Sequence, residues 1–469
     1  PKRANRLQHP TFGHTAPEFA KIKVRNFLLM KLIAVIVSSL IAFQYIAAQQ
    51  PQQALATAAG RSFYSSDLSP DAQKLHANSE QLISNERARL LSQMIADAVL
   101  DLEAKERKLT VSQLIDAEQA KAAAPTDAQI RAVYDANAAT LGNRPLDEVR
   151  GQIVQYLRQQ ESQKLFDSYI QNLRVKHKAV IGKDVNAFGL KPTEVLATIG
   201  TKSITLQEFE DKNKIALWDA TAEIYEELRS ELEASILSAL VSEEAKSRNI
   251  DAGSLIAAEI TDKMRDYSDE ERLALETGLR GRLFAKYKVQ FLLKEPAPVV
   301  QNIATDDDPS FGNSTAPVTV VMFTDLQCPA CSRTHPVLKK ALAEYGDKVR
   351  LVVRDFPLEN IHPNAFQAAL AANAANAQGK FIEYAEVLYN NQAALDRTAL
   401  FRYAADLGLN VKQFELDFSG EKAAAEVRKD IADGKSYGVN GTPTIYVNGV
   451  KVHRLSADGF RRAIDRALK

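Results

Sequence analysis

The sequence predicts two architectures in one chain: a mainly α-helical, internally duplicated region, then an α/β domain carrying a helical insertion. Three observations carry that prediction. EAKERKLTVSQLIDAE (103–118) matches EAKSRNIDAGSLIAAE (244–259) at eight of sixteen positions. A β-branched apolar run, VTVVMFTD (318–325), leads at once into Cys328 and Cys331, and then into a helix-compatible stretch. Later, GVNGTPTIYVNGVKV (438–452) reads as strand, Asn-Gly turn and strand.

Residues 1–49 read as an upstream extension followed by a targeting segment. LIAVIVSSLIAFQYIAA (32–48) is uncharged, Lys31 precedes it, and Lys21, Lys23 and Arg25 lie upstream. A basic flank before a short apolar run is the pattern of an export signal. The run is short for a membrane span, and Ala47 and Ala48 close it before a Gln-rich stretch. A cleaved signal peptide, an uncleaved N-terminal membrane anchor and a buried core helix all stay open. Met30-Lys31 makes a natural start, so Pro1 to Leu29 reads as extension rather than structure. The remainder is expected outside the cytoplasm, where disulfides persist.

The duplication spans two segments, 50–188 and 189–293. At a constant offset of 141, Leu91, Ile95 and Ala98 correspond to Leu232, Ile236 and Ala239, spaced as one helix face. Upstream, GRSFYSSDL (60–68) pairs with GTKSITLQEF (200–209). Downstream, KLFDSYIQNL (164–173) pairs with RLFAKYKVQF (282–291) at an offset of 118, so the second copy lacks 23 residues around PTDAQIRAVYDAN (125–137). Each copy is expected to hold a short β segment, a long amphipathic helix and shorter helices. EAKERKLTVSQLIDAE and PTDAQIRAVYDAN give this region a resemblance to the N-terminal part of SurA-like chaperones and parvulin-type prolyl isomerases. The resemblance implies binding of unfolded chains. No block of suitable length is left for a parvulin catalytic domain, so prolyl isomerase activity is not expected. A helical spacer or dimerisation arm explains the same apolar faces equally well. KEPAPVVQNIATDDDP (294–309) reads as a linker.

In 310–469 the cysteine pair sits where a strand turns into a helix. Pro329 suits the first helical turn, where its missing N–H costs nothing. The helix start aims free N–H groups and the positive dipole end at Cys328, which stabilises a thiolate. Cys331, one turn on, can reach back to the same sulfur, the spacing for attack followed by resolution. KVRLVVRDFPL (348–358) is a second strand. Helices are expected at 364–378, 381–391, 397–407, 423–433 and 458–468.

FTDLQCPAC, VVRDFPLENIHPNA and GVNGTPTIYVNG, in this order, resemble the DsbA-like branch of the thioredoxin superfamily. The expected fold is therefore a thioredoxin fold with a DsbA-like helical insertion. The resemblance implies roles: Cys328 the exposed nucleophile, Cys331 the buried resolving thiol, Pro443 a cis-proline facing them. Thr442 would offer backbone hydrogen bonds to an extended substrate segment. Two positions depart from the pattern. Met322 stands six residues before the nucleophile, where many relatives have a buried carboxylate, so another group must accept the Cys331 proton; Asp325 is nearby in sequence. Ala330 stands within the motif where strongly oxidising relatives have His, which removes one source of thiolate stabilisation.

Composition narrows the alternatives. With 59 basic and 59 acidic residues, a general nucleic-acid binder is not expected. From Thr205 to Glu276 there are 19 acidic and 8 basic residues, which reads as a solvated acidic helical surface. Two cysteines make no stapled framework. Placed at random they would fall three apart with a probability of about 0.4%, so accident explains them poorly. A structural zinc site needs four ligands, and His335, His362 and His453 show no paired pattern, so no metal or cofactor is expected. A CxxC at a helix start is reactive rather than an inert staple. His362 reads as a loop-to-helix feature. The expected function is exported thiol–disulfide exchange on unfolded or cysteine-containing proteins, with a redox partner recycling the pair. Disulfide isomerase or reductase activity, and a chaperone with a secondary redox domain, remain open.

Overall fold

A computed structural model describes residues 53–469 apart from 139, 143, 306 and 307. The segment read as extension and export signal or anchor lies outside them. Among the described residues no helix is long and apolar enough to cross a membrane.

The first copy opens with a hairpin, β1 (Ala56–Ala58) and β2 (Arg61–Phe63), turned by Ala59 and Gly60, both at positive φ. Helix α1 (Pro70–Arg107) starts on Ser69, whose hydroxyl accepts the Ala72 N–H, with Pro70 in its first turn. Then come α2 (Val111–Gln119), α3 (Asp127–Asn137), α4 (Leu146–Lys176) and a closing strand, β3 (Ala179–Ile181). The second copy repeats the plan: β4 (Val195–Ile199), β5 (Lys202–Thr205), α5 (Leu206–Ser247), α6 (Ala252–Glu259), α7 (Asp269–Lys286) and β6 (Gln290–Phe291). Helix α3 belongs to the first copy alone and packs Ile130 against Val149 and Ile153 of α4.

The two copies interlock. β3 pairs with β4, and β6 pairs with β1, so each copy's last strand completes the other's hairpin. The cores cross in the same way. Ile95 and Val99 of α1 pack with Leu196, Ile204 and Phe209 of the second copy. Leu55, Phe63 and Leu68 pack with Leu232, Ile236 and Leu240 of α5.

The downstream register read from the sequence needs correction. Helices α4 and α7 end at Lys176 and Lys286, so Lys176-His177 corresponds to Lys286-Tyr287. The true offset is 110 rather than 118. Apolar helical spacing repeats with every turn, so a slip of about two turns leaves it looking matched. The polar hubs fix the register. Buried Glu103 accepts hydrogen bonds from Arg107 (2.7 Å), Lys176 (2.5 Å) and His177 (3.1 Å). Its counterpart Glu244 accepts from Arg248 (2.9 Å), Lys286 (2.5 Å) and Tyr287 (2.9 Å).

The C-terminal lobe is built on a five-stranded sheet in the order β11-β10-β8-β9-β7. Strand β7 (Ser310–Gly312) precedes β8 (Val318–Thr324), α8 (Pro329–Ala343) and β9 (Val349–Asp355). The insertion comprises α9 (Ala365–Asn376), α10 (Phe381–Asn390), α11 (Arg397–Asp406), α12 (Val411–Ser419) and α13 (Glu421–Ser436). The hairpin β10 (Thr444–Val447) and β11 (Val450–Lys451) comes next, then α14 (Ala457–Ala467). Helix α12 was not expected from sequence, although Asn410 caps it and Phe414 and Phe418 mark its buried face. β8 and β9 run parallel, with Thr324 opposite Asp355; β10 runs antiparallel to β8. Along β8 the side chains alternate between two cores. Val318, Val320 and Met322 face the core shared with α8, α9, α10 and α14, while Val321 and Phe323 face Phe356, Val439 and Tyr446.

Residues 294–305 are not a free tether. Gln301 N–H donates to the Gly449 carbonyl at 2.9 Å, and Val299 and Ile303 pack against buried clusters. The acidic stretch is only partly a solvated face. Asp219 and Glu226 on α5 pair with Lys451 and Arg462 of the C-terminal lobe.

Candidate active site

The parallel pair β8–β9 ends in two polar residues, Thr324 and Asp355, directly below the cysteine loop. Asp325, next on the chain, is buried and fully engaged. Its carboxylate accepts from Gln327 N (2.7 Å) and Leu358 N (2.9 Å) and lies 2.7 Å from His362 Nδ1. Asp325 and His362 thus tie the loop after β8 to the loop after β9.

Cys328 is the N-cap residue of α8, with Pro329 at the first helical position. Both cysteines are free thiols. The Thr442–Pro443 bond is cis, and Cys328 Sγ lies 3.4 Å from the Thr442 carbonyl oxygen. The structure therefore brings Cys328, Cys331, Thr442 and Pro443 to one place from distant stretches of the chain. Pro329 and Ala330 form the first turn between the cysteines. Gln392, after α10, donates to the carbonyls of Leu326 (3.1 Å) and Cys328 (2.9 Å) and fixes the loop from the insertion side.

The two sulfurs are held in opposite states. A hydrogen bond from the Cys331 thiol, with the Cys331 and Ala330 N–H groups and the Thr442 hydroxyl, outweighs burial and holds Cys328 at about 5. Burial, then the neighbouring Cys328 charge, pushes Cys331 far upward. Cys328 was expected to be exposed but is buried, at 6% exposure; Cys331 has none, so Cys328 is the more accessible of the two sulfurs.

Met322 is buried in the apolar core, so the position six residues before Cys328 holds no acid. Sequence reasoning missed a polar set beside it. Thr324 Oγ1 lies 2.6 Å from Tyr389 Oη of α10, and the Thr324 hydroxyl also favours the Cys331 thiolate. Asp355 is buried and pushed up to about 7, chiefly by burial and then by the Asp430 charge. A lone Asp closing the strand beside the cysteine strand was a readable signal for it. Tyr389, on a helix far along the chain, left none.

His335 is buried on α8 with its pKa lowered by burial, and His453 is held at about 4 for the same reason. Neither approaches the cysteines as a ligand. Among the described residues, Glu103, Glu106 and His177 form the grouping with ligating atoms within 4.8 Å of one another, and Lys176 bonds both carboxylates.

A family model described as thioredoxin matches residues 304–466. A sodium/proton antiporter, NhaA 1 of Mycolicibacterium vanbaalenii, is 36% identical over 174 residues, which is 36% of this chain and 28% of the antiporter. NhaA 3 of Salinispora tropica is 38% identical over 148 residues, 32% of this chain and 22% of that protein. The chain thus spans less than a third of these curated relatives, and the match falls on its thioredoxin-like part. Among solved structures, a thioredoxin-like oxidoreductase from Silicibacter pomeroyi is 30% identical, covering 34% of this chain and 92% of that one, with a TM-score of 0.32. BdbD from Bacillus subtilis is 22% identical, covering 37% and 99%, with a TM-score of 0.33. The comparisons lend no support to the SurA-like reading of the helical region. From its own topology and the family match, the C-terminal lobe has a thioredoxin fold, a fold that supports thiol–disulfide exchange in general.

Proposed function

We propose that the chain is a protein thiol–disulfide oxidoreductase that works through Cys328 and Cys331. One observation carries the reading: Cys328 is held at about 5 at a helix start beside the Thr442 carbonyl, while Cys331, one turn on, is buried and held as a thiol. A substrate thiolate attacks Cys328 of the oxidised pair, a mixed disulfide forms, and a second substrate thiol releases it. The Gly441-Thr442-Pro443 loop offers backbone to an extended substrate segment. The apolar run 32–48 with its basic flank supports work outside the cytoplasm, in the periplasm or anchored on the outer face of a bacterial inner membrane. The interlocked helical lobe holds unfolded substrate near the pair or sets assembly geometry. A separate redox protein recycles the cysteines.

The test is exchange with a reduced, cysteine-containing protein. The oxidised chain transfers its disulfide, and a Cys331→Ala variant offered the disulfide-containing form of that protein attacks it through Cys328 and is trapped as the mixed disulfide. Absence of both overturns the reading. Isomerase or reductase action is the second reading, because Ala330 adds no cation to the thiolate. Cysteines found reduced in an oxidising compartment would select it.

A further inference from the structure

We propose that Gln392, from the helical insertion, is a positioning residue for Cys328: by donating to the backbone of the cysteine loop it holds the nucleophile in the geometry that favours its thiolate. The inference rests on the oxidoreductase reading above.

The loop is held from two sides. On the side of β9, the Asp325 carboxylate takes the Leu358 N–H, and Gln327 Oε1 accepts the Asn364 N–H at 2.8 Å. On the side of the insertion, Gln392 Nε2 donates to the Leu326 carbonyl at 3.1 Å and to the Cys328 carbonyl at 2.9 Å. Two carbonyls facing one nitrogen fix which end of the amide points inward, and they use both of its hydrogens. The link is returned: the Ser332 hydroxyl donates to the Tyr389 carbonyl at 3.1 Å. The first turn of α8 and the end of α10 are thus bonded in both directions.

The Cys328 carbonyl is where this bears on the chemistry. It also accepts the Ser332 N–H at 3.1 Å, the bond that starts α8. The direction of that carbonyl is set by the ψ of Cys328, which is 121°. Donors that hold the carbonyl therefore also fix where Sγ sits relative to the Ala330 and Cys331 N–H groups, which stabilise its charge. A second effect has the same sign. Carbonyl oxygens are negative dipole ends, and a donor bonded to them offsets their repulsion of a nearby thiolate. Loss of Gln392 should raise the Cys328 midpoint by both routes. The other titratable groups at the loop do not compete for this role: Asp325 and His362 bond each other, and Cys331 stays a thiol.

A purely structural clamp would behave differently. Helix α10 already shares a core with α8, through Tyr384 and Leu388 against Leu338 and Ala341. The two helices stay packed without Gln392, so its removal is read at the sulfur rather than in the fold.

The test is the thiolate absorbance and iodoacetamide reactivity of the reduced full chain as a function of pH. Gln392→Met keeps the length of the side chain and removes both donors. It is expected to raise the midpoint from about 5 by ~1 pH unit, a ~10-fold loss of thiolate at about pH 4. By the same factor the pair becomes ~30 mV less oxidising. Gln392→Glu replaces the donors with an anion and shifts the midpoint further upward. Ser332→Ala breaks the reciprocal bond between the same helices without removing a donor from either carbonyl, and should leave the midpoint in place. Near-ultraviolet circular dichroism checks folding. Gln392→Asn, too short to reach both carbonyls, gives the same reading if the Met variant does not fold. A wild-type midpoint in the folded Gln392 variants, or an equal shift in Ser332→Ala, overturns the positioning role and leaves the oxidoreductase reading intact. A wild-type chain that exchanges no disulfide at all overturns both.

Discussion

The depressed Cys328 pKa couples folding stability to redox state and pH. An ordinary cysteine titrates near ~8.5, and Cys328 is held at about 5. Its folded value is depressed, so the stabilisation of the reduced form is complete above ~8.5, is partial between the two values, and is lost as pH falls through about 5. At pH 7 the gain spans about two pH units, or roughly 2–3 kcal/mol at 1.36 kcal/mol per unit. The oxidised form has no thiolate and gains nothing. The reduced chain should therefore gain about 2–3 kcal/mol over the oxidised chain between pH 4 and pH 7, and the pair should be more oxidising by ~50 mV than one with an ordinary thiol. The assay is denaturant unfolding of both redox forms at the two pH values, beside thiolate absorbance as pH is raised. A thiolate midpoint near ~8.5, or a stability gap between the forms that does not move with pH, refutes the reasoning.

The remaining predictions concern tuning and packing. Ala330→His places a cation beside the thiolate, so the midpoint of iodoacetamide reactivity should fall below about 5. Glu103 and Glu244 are held at about 2 by bonded cations. Unfolded glutamate titrates near ~4.3, so their stabilisation is present above that value and fades as pH falls towards 2; solvent-screened partners leave it on the order of 1–2 kcal/mol each. Glu244→Gln should cost that much at pH 7 and about half as much at pH 3 in chemical denaturation. A Cβ on Gly434 would lie 2.8 Å from the Phe356 ring, so Gly434→Ala should lower Tm by overpacking worth ~1–3 kcal/mol, less up to ~1 kcal/mol of helix propensity.

The redox lobe was legible because its signals are local. The strand before Cys328, Pro329 at the helix start and the Asn448-Gly449 turn each specify backbone without help from distant residues. The cis Thr442–Pro443 loop came from resemblance, since nothing local in the sequence distinguishes a cis from a trans bond. Tyr389 stayed hidden for the opposite reason. Its place beside Thr324 depends on which helix of the insertion covers the strand. The helical duplication was legible at its polar positions, where Glu103 and Glu244 each collect three donors. It misled at its apolar ones, where one helical turn resembles the next.

The acidic stretch shows how the lobes are joined. Its excess charge suggested only solubility, yet the basic residues that answer it lie more than 200 positions later. Lys451 bonds Asp219 at 2.6 Å, and Arg462 bonds Glu226. Trp218 and Ala222, on the same helix, pack against Val450. Ile215, also on α5, lies where a Cβ on Gly438 would come within 3.1 Å of it. Gly438 is four residues before Thr442. One helix therefore contacts the hairpin and the approach to the Thr442–Pro443 loop while carrying the core of the interlocked copies. Partly exposed ion pairs are individually weak, but the apolar contacts between them do not depend on salt. The helical lobe is thus packed directly against the hairpin and the approach to the Gly441-Thr442-Pro443 loop, which a flexible tether could not do.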